Sequence, residues 1–238
     1  MNKNVFHKAT SRGHASHGWL DSFHTFSFAG YHNPERVHFG ALRVLNDDTV
    51  SGGEGFGRHP HDNMEIVSIV LEGALEHQDS MGHTQTMQPG EVQVMSAGTG
   101  VTHSEYNHYK DRKVKFLQLW IFPDERNITP SYDQRMFDAA ARKNQLQTLV
   151  SPIHNDDEGL KIHQKAWIYR TDLETGKTIE MNLKRPENGL YAFLINGSVK
   201  INGQEMHSRD GYGIADTDKI QIEAIDDADL LLLEVPVR

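Results

Sequence analysis

Two pairs of residues have types and spacing that could do chemistry. His59 and His61 lie two apart in "GRHPH", just after a glycine-rich turn, and His103 and Glu105 lie two apart in "GVTHSEYN", after "SAGTG". In a β-strand, residues i and i+2 point to the same face. Each pair would therefore aim both side chains to one side, and two such strands side by side would bring three imidazoles and a carboxylate to one point. One His-x-His pair means little in a chain with 15 histidines; the second pair gives it weight. Nitrogen and oxygen donors of this kind suit Fe, Ni, Co, Mn, Cu or Zn. The chain has no cysteine, which excludes thiolate ligands, disulfides, iron–sulfur clusters and a cysteine nucleophile. Four protein ligands on a metal that prefers six leave places for water, O2 or substrate. An active centre is expected, not a closed structural one.

Such ligands need strands, and the surrounding sequence supplies them. "VHFGALRVL" (37–45), "EIVSIVL" (65–71) and "KVKFLQLWIF" (113–122) have strand patterning, and "ALEHQDS", "HTQTMQ" and "EVQVMSA" follow one another between glycine turns. Pro60 has no N–H to give to a ladder, so its strand should be an edge or a strand start. The one run of helix formers is "YDQRMFDAAARKNQLQTL" (132–149), with Asp133 available as a cap, and it predicts a short helical connection. Strands then resume, from "AWIYRTDL" to "LLLLEV".

The two halves also resemble each other. "MEIVSIVLEGALEHQ" matches "GLYAFLINGSVKING" when Gly73 is set on Gly197, which favours two stacked copies of one antiparallel unit. Without gaps, Leu183 and Arg185 then stand where His59 and His61 stand, and "KIQIEA" replaces His-x-Glu. Leucine has no donor atom and arginine stays protonated, so no metal is expected in the second half.

Composition bounds the rest. The 238 residues are 37% hydrophobic and carry a formal net charge of −9, with lysine and arginine scattered singly, which speaks against direct nucleic-acid binding. No stretch nears the ~18 consecutive apolar residues of a membrane span, and the N-terminus lacks the apolar core of a signal peptide. A cytoplasmic monomer without membrane contact is expected.

The motifs also carry a family resemblance. "GGEGFGRHPHDNMEIVSIVLEG" resembles the first cupin motif, with Gly53, His59, His61, Glu65 and Gly73 at its marked positions, and "QPGEVQVMSAGTGVTHSEYN" resembles the second motif in its pirin form. "GWLDSFHTFSFAGYHNPERVHFGALRVLND" is similar to bacterial pirin-like proteins described as quercetin 2,3-dioxygenases. The likeness is strong to about residue 125 and looser beyond.

It implies an all-β bicupin, with two antiparallel β-barrel, jelly-roll-like lobes and a short helical connection. Residues 1–130 would form the lobe with the metal, and residues 131–238 the connector and a metal-free lobe. It implies one divalent transition metal, Fe(II) first among the candidates, held by His59, His61, His103 and Glu105. Many cupins ligate through the glutamate of the first motif, whereas pirins use the later one, so Glu65 is expected beside the site and not on the metal.

The implied activity is ring opening of a flavonol such as quercetin by O2, with loss of CO and with Glu105 as proton acceptor. The alternative is a pirin-like redox sensor or transcriptional co-regulator that acts through a protein partner without turnover. Among the other histidines, His24 in "DSFHTFSF" is the one placed nearest the pocket, and His77, His83 and His108 have no partner at useful spacing. The aromatics of "FHTFSF" and "LWIF" are expected to build core, though they would also suit the wall of a flavonoid pocket.

Overall fold

The computed structural model describes residues 4–215, 217 and 219–237. These form 22 strands, numbered along the chain, in four sheets. One seven-stranded sheet runs, edge to edge, β12 (Ser131–Met136), β9 (Glu91–Ser96), β6 (Glu65–Glu72), β11 (Val114–Ile121), β4 (Leu42–Val50), β3 (Leu20–His24) and β2 (Gly13–Ser16). Facing it is a four-stranded sheet of β5 (Gly55–His61), β10 (Val101–Asn107), β7 (Leu75–Asp79) and β8 (Thr84–Met87).

The second half repeats this plan. Its seven-stranded sheet is β1 (Val5–His7), β20 (Gly211–Ile214), β17 (Asn188–Asn196), β22 (Ala228–Pro236), β15 (Trp167–Leu173), β13 (Gln147–Pro152) and β14 (Leu160–Ile162). Its four-stranded sheet is β16 (Thr178–Asn182), β21 (Lys219–Ala224), β18 (Ser198–Ile201) and β19 (Gln204–His207). Gly73 and Gly197 occupy the same turn in the two copies, where the chain passes from the seven-stranded sheet to the four-stranded one, with φ of 79° and 92°.

The lobes are not barrels. Each is a pair of open sheets, and β5 is an edge strand, where Pro60 leaves one donor fewer for closing the ladder. Nor is the connection helical. Among the described residues the helical segments are two 3-10 turns, Ala9–Ser11 and Ala139–Arg142. Residues 131–136 instead pair with β9, Tyr132 and Gln134 half-buried and Asp133 and Arg135 exposed. This period-two burial against a neighbouring strand overrides local helix propensity. Asp138, not Asp133, caps the short turn, accepting from the Ala140 N–H at 2.9 Å. No helix among the described residues is long and apolar enough to cross a membrane.

The two seven-stranded sheets pack back to back through Val67, Ile69, Leu117 and Leu119 on one side and Tyr191, Phe193, Leu231 and Leu233 on the other. Both faces of each sheet are thus covered, which is why "EIVSIVL" and "KVKFLQLWIF" are apolar almost throughout. The inner faces differ. In the second lobe one apolar cluster fills the interior. In the first lobe the interior splits into a cluster around Val50, Val70 and Phe116 and another around Ile66, Met95 and Val101.

A polar row lies between them. His24 pairs with Asn46, Asn46 with Gln118, Gln118 with Ser68, Ser68 with Gln93, and Gln93 with Gln134. All but Gln134 are buried. The matching row of the second lobe is Tyr169, Leu232, Ala192 and Tyr212. Buried polar groups need partners, and those of this row face the paired histidines.

Candidate metal centre

On the four-stranded sheet, His103 of β10 lies directly opposite His59 of β5, and Val101 opposite His61. The pairing then slips, so that Glu105 faces Phe56 and two residues, Gly57 and Arg58, oppose Ser104 alone. This is a β-bulge, a device that re-aims side chains at a sheet edge. His59 Nδ1 donates to the Gly57 carbonyl at 2.8 Å, which fixes the ring and leaves Nε2 free.

The rings of His59, His61 and His103 have centroids 4.4 Å to 4.9 Å apart. One nitrogen from each lies within 4.8 Å of the others. His103 is fully buried, and its Nε2 has no hydrogen-bond partner among the described residues. Burial first, and then the neighbouring imidazoles, lower His61 to about 4 and His103 to about 3. Both are therefore neutral at physiological pH, with lone pairs to offer. A buried, orphaned imidazole nitrogen with two further imidazoles beside it fits a divalent transition metal.

Glu105 is buried beside them. Its Oε2 accepts from Gln118 Nε2 at 2.7 Å, and its Oε1 from Ser68 Oγ at 3.3 Å, both donors belonging to the polar row. The carboxylate groups with His103 and His77, whereas His59 and His61 group with His103. The three expected imidazoles come together, and Glu105 adjoins them on the His103 side.

His77 is the residue that sequence reasoning missed. It is fully buried on β7, opposite Glu105, with Nδ1 3.4 Å from His103 Nδ1 and 3.4 Å from Gln93 Nε2. Its Nε2 lies 3.3 Å from Asp79 Oδ2, which also meets His83 Nδ1 at 2.9 Å. The signal was present: His77 and Asp79 form a third i, i+2 pair, on the strand flanking β10.

Glu65 lies elsewhere. β5 ends at His61, Asn63 turns the chain with φ of 45°, and Glu65 opens β6 on the other sheet. It shares the face of Val67 and Ile69 in the inter-lobe core and accepts from Ser96 Oγ at 2.6 Å. Burial pushes its carboxyl up to about 7.

A cavity of about 440 Å³ opens beside the histidines, and His59, His61 and Glu105 line it. That volume is in the range of small-molecule sites. The aromatic runs divide between core and cavity. Phe26 enters the inter-lobe core, whereas Phe28 and Trp120 line the cavity in edge contact at 5.3 Å. His24 lines it as well.

Known proteins resemble this chain over nearly its whole length. A family model described as Pirin matches residues 5–121, and one described as a quercetinase C-terminal cupin domain matches residues 148–235. The chain is 46% identical over 229 residues to a quercetin 2,3-dioxygenase of Escherichia coli (strain K12), covering 96% of this chain and 97% of that one. It is 39% identical over 222 residues to a pirin-like protein of Caulobacter vibrioides, covering 93% and 95%. The crystal structure of the bacterial pirin YhhW from Escherichia coli in complex with nickel(II) matches with a TM-score of 0.92 at 44% identity, covering 98% of this chain and 99% of that one.

Proposed function

The chain belongs to the pirin family, and on that footing we propose that it is a metal-dependent dioxygenase opening the heterocyclic ring of a flavonol such as quercetin. The observation that carries this is the clustering of three imidazoles and a buried carboxylate beside an aromatic-walled cavity.

His59, His61 and His103 would hold the ion, with Glu105 joining from the side it shares with His103. Fe(II) is the proposed native ion, on the ground of the O2 chemistry; the nickel(II) in the Escherichia coli pirin suits the same donors. When bound, the metal supplies Lewis acidity toward the substrate's 3-hydroxyl and a centre for O2.

The protein's own part is positioning and proton transfer. Gln118 anchors Glu105 through Oε2, while the longer Ser68 contact leaves Oε1 the freer oxygen. Oε1 is thus the atom that takes the 3-hydroxyl proton. Phe28 and Trp120 border a slot for a flat aromatic body. In the net reaction both atoms of O2 enter the ring-opened ester acid, and carbon 3 leaves as CO with its own oxygen.

The test is O2 uptake and CO release with quercetin, after reconstitution with Fe, Ni, Co, Mn or Cu in turn. Coupled consumption and release are expected with at least one metal. Silence with all five would overturn the enzyme and favour a sensor that works through a protein partner.

A further inference from the structure

One end of the polar row is not used by this chemistry. Gln118 and Ser68 donate to Glu105, and Gln93 meets His77. Asn46 and His24, the next two members, make no side-chain hydrogen bond to any of these among the described residues. They are 2% and 3% exposed, and both line the cavity. Asn46 Oδ1 and His24 Nδ1 have no hydrogen-bond partner among the described residues. With strands ~4.8 Å apart, they lie about 5 and 10 Å along the row from Gln118.

The bonds behind them set their polarity. Ser22, paired with Asp48 across β3 and β4, donates its hydroxyl proton to Asp48 Oδ1. Its oxygen must then accept from His24 Nε2, 2.8 Å away. Burial lowers the pKa of His24, which keeps the ring neutral. A neutral ring with its proton on Nε2 presents a bare Nδ1. Both orphan atoms are therefore acceptors, neighbours across one strand pair, and their complement is a donor. A carbonyl or carboxylate would be repelled.

We propose that His24 Nδ1 and Asn46 Oδ1 form a hydroxyl-recognising subsite, which takes a phenolic O–H of the substrate at a distance from the group that meets the metal. The subsite presupposes the flavonol-binding role of the cavity and adds the end group it selects. It distinguishes a polyhydroxylated flavonol from one bearing only the 3-hydroxyl, because an unhydroxylated end would leave both acceptors buried and unpaired.

The test is anaerobic binding to nickel-loaded protein, followed by tryptophan fluorescence, with quercetin and with 3-hydroxyflavone, which lacks the other hydroxyls. The measurement is made near pH 8.5, above the Asp48 pKa that burial pushes up to about 7. The wild type should bind quercetin at least about tenfold more tightly. Asn46→Leu should abolish that preference and leave 3-hydroxyflavone affinity unchanged. His24→Phe keeps a ring in place and should do the same, and it decides the matter if Asn46→Leu does not fold. Equal wild-type affinities, or a loss shared by both ligands in the variants, would overturn the subsite alone. Failure of the wild type to bind either ligand would overturn the flavonol-binding cavity and the subsite with it.

Discussion

Gln118 on β11 donates to Glu105 on β10 across 2.7 Å, joining the two facing sheets of the first lobe at the level of the histidines. The corresponding position in the second lobe is Leu232, which pairs with Ala192 as Gln118 pairs with Ser68. One lobe ties its sheets together by a charge-assisted bond at this level, and the other fills the gap with apolar side chains.

Gln118→Leu should therefore fold, since leucine is what the same scaffold carries in its other copy. It should weaken metal affinity by about 10–100-fold, the usual effect of removing a partner that orients a ligand. Chelator competition measures it, and unchanged affinity would show that Glu105 needs no such anchor.

Glu105→Gln separates two roles. Losing the charge weakens metal binding, whereas losing the base slows deprotonation by ~10²–10⁴. At saturating metal the variant should still bind flavonol but turn it over within that reduced range. Near-normal turnover would remove Glu105 from the proton transfer.

Much of the site was legible because strand faces are a local property. The i, i+2 spacing of His59 with His61 foretold a shared strand, and Pro60 its edge position. The rest depends on pairing, which no local window records. His77 is near His103 only because β7 lies beside β10. Glu65, four residues after His61, was expected beside the site, but the turn at Asn63 carries the chain to the other sheet. Helix formers in 132–149 obeyed their propensity for one 3-10 turn, Ala139–Arg142, and yielded to β9 before it. Barrel closure was beyond local patterning for the same reason, being decided where edge strands meet or fail to meet.

Glu65 gives a pH dependence whose sign is fixed. Its carboxyl rises from 4.5 to about 7 on folding, so the folded state holds a proton that the unfolded chain releases. Its contribution is fully present below the unfolded pKa and is lost as pH rises through about 7, to the extent of about 3 kcal/mol. Glu65→Gln cannot ionise. Urea unfolding at about pH 5 and pH 8 should show the wild type losing about that much more stability than the variant. A pH-independent difference between the two would contradict the burial cost.

Gly197 turns the chain from β17 into β18 of the second lobe at φ of 92°, and a Cβ there would lie 2.1 Å from the Asp227 carbonyl oxygen. Strain and backbone collision act together, so Gly197→Ala should destabilise by about 2 kcal/mol or more. Thermal unfolding checks it; a change within error would mean that the turn relaxes freely.

The most direct test of dioxygenase action is turnover of quercetin under oxygen-18 gas by metal-loaded protein, with the products weighed by mass spectrometry. The ring-opened acid should carry both labelled atoms, and the released CO neither. A product with one labelled atom or none, or label in the CO, would contradict the proposed reaction.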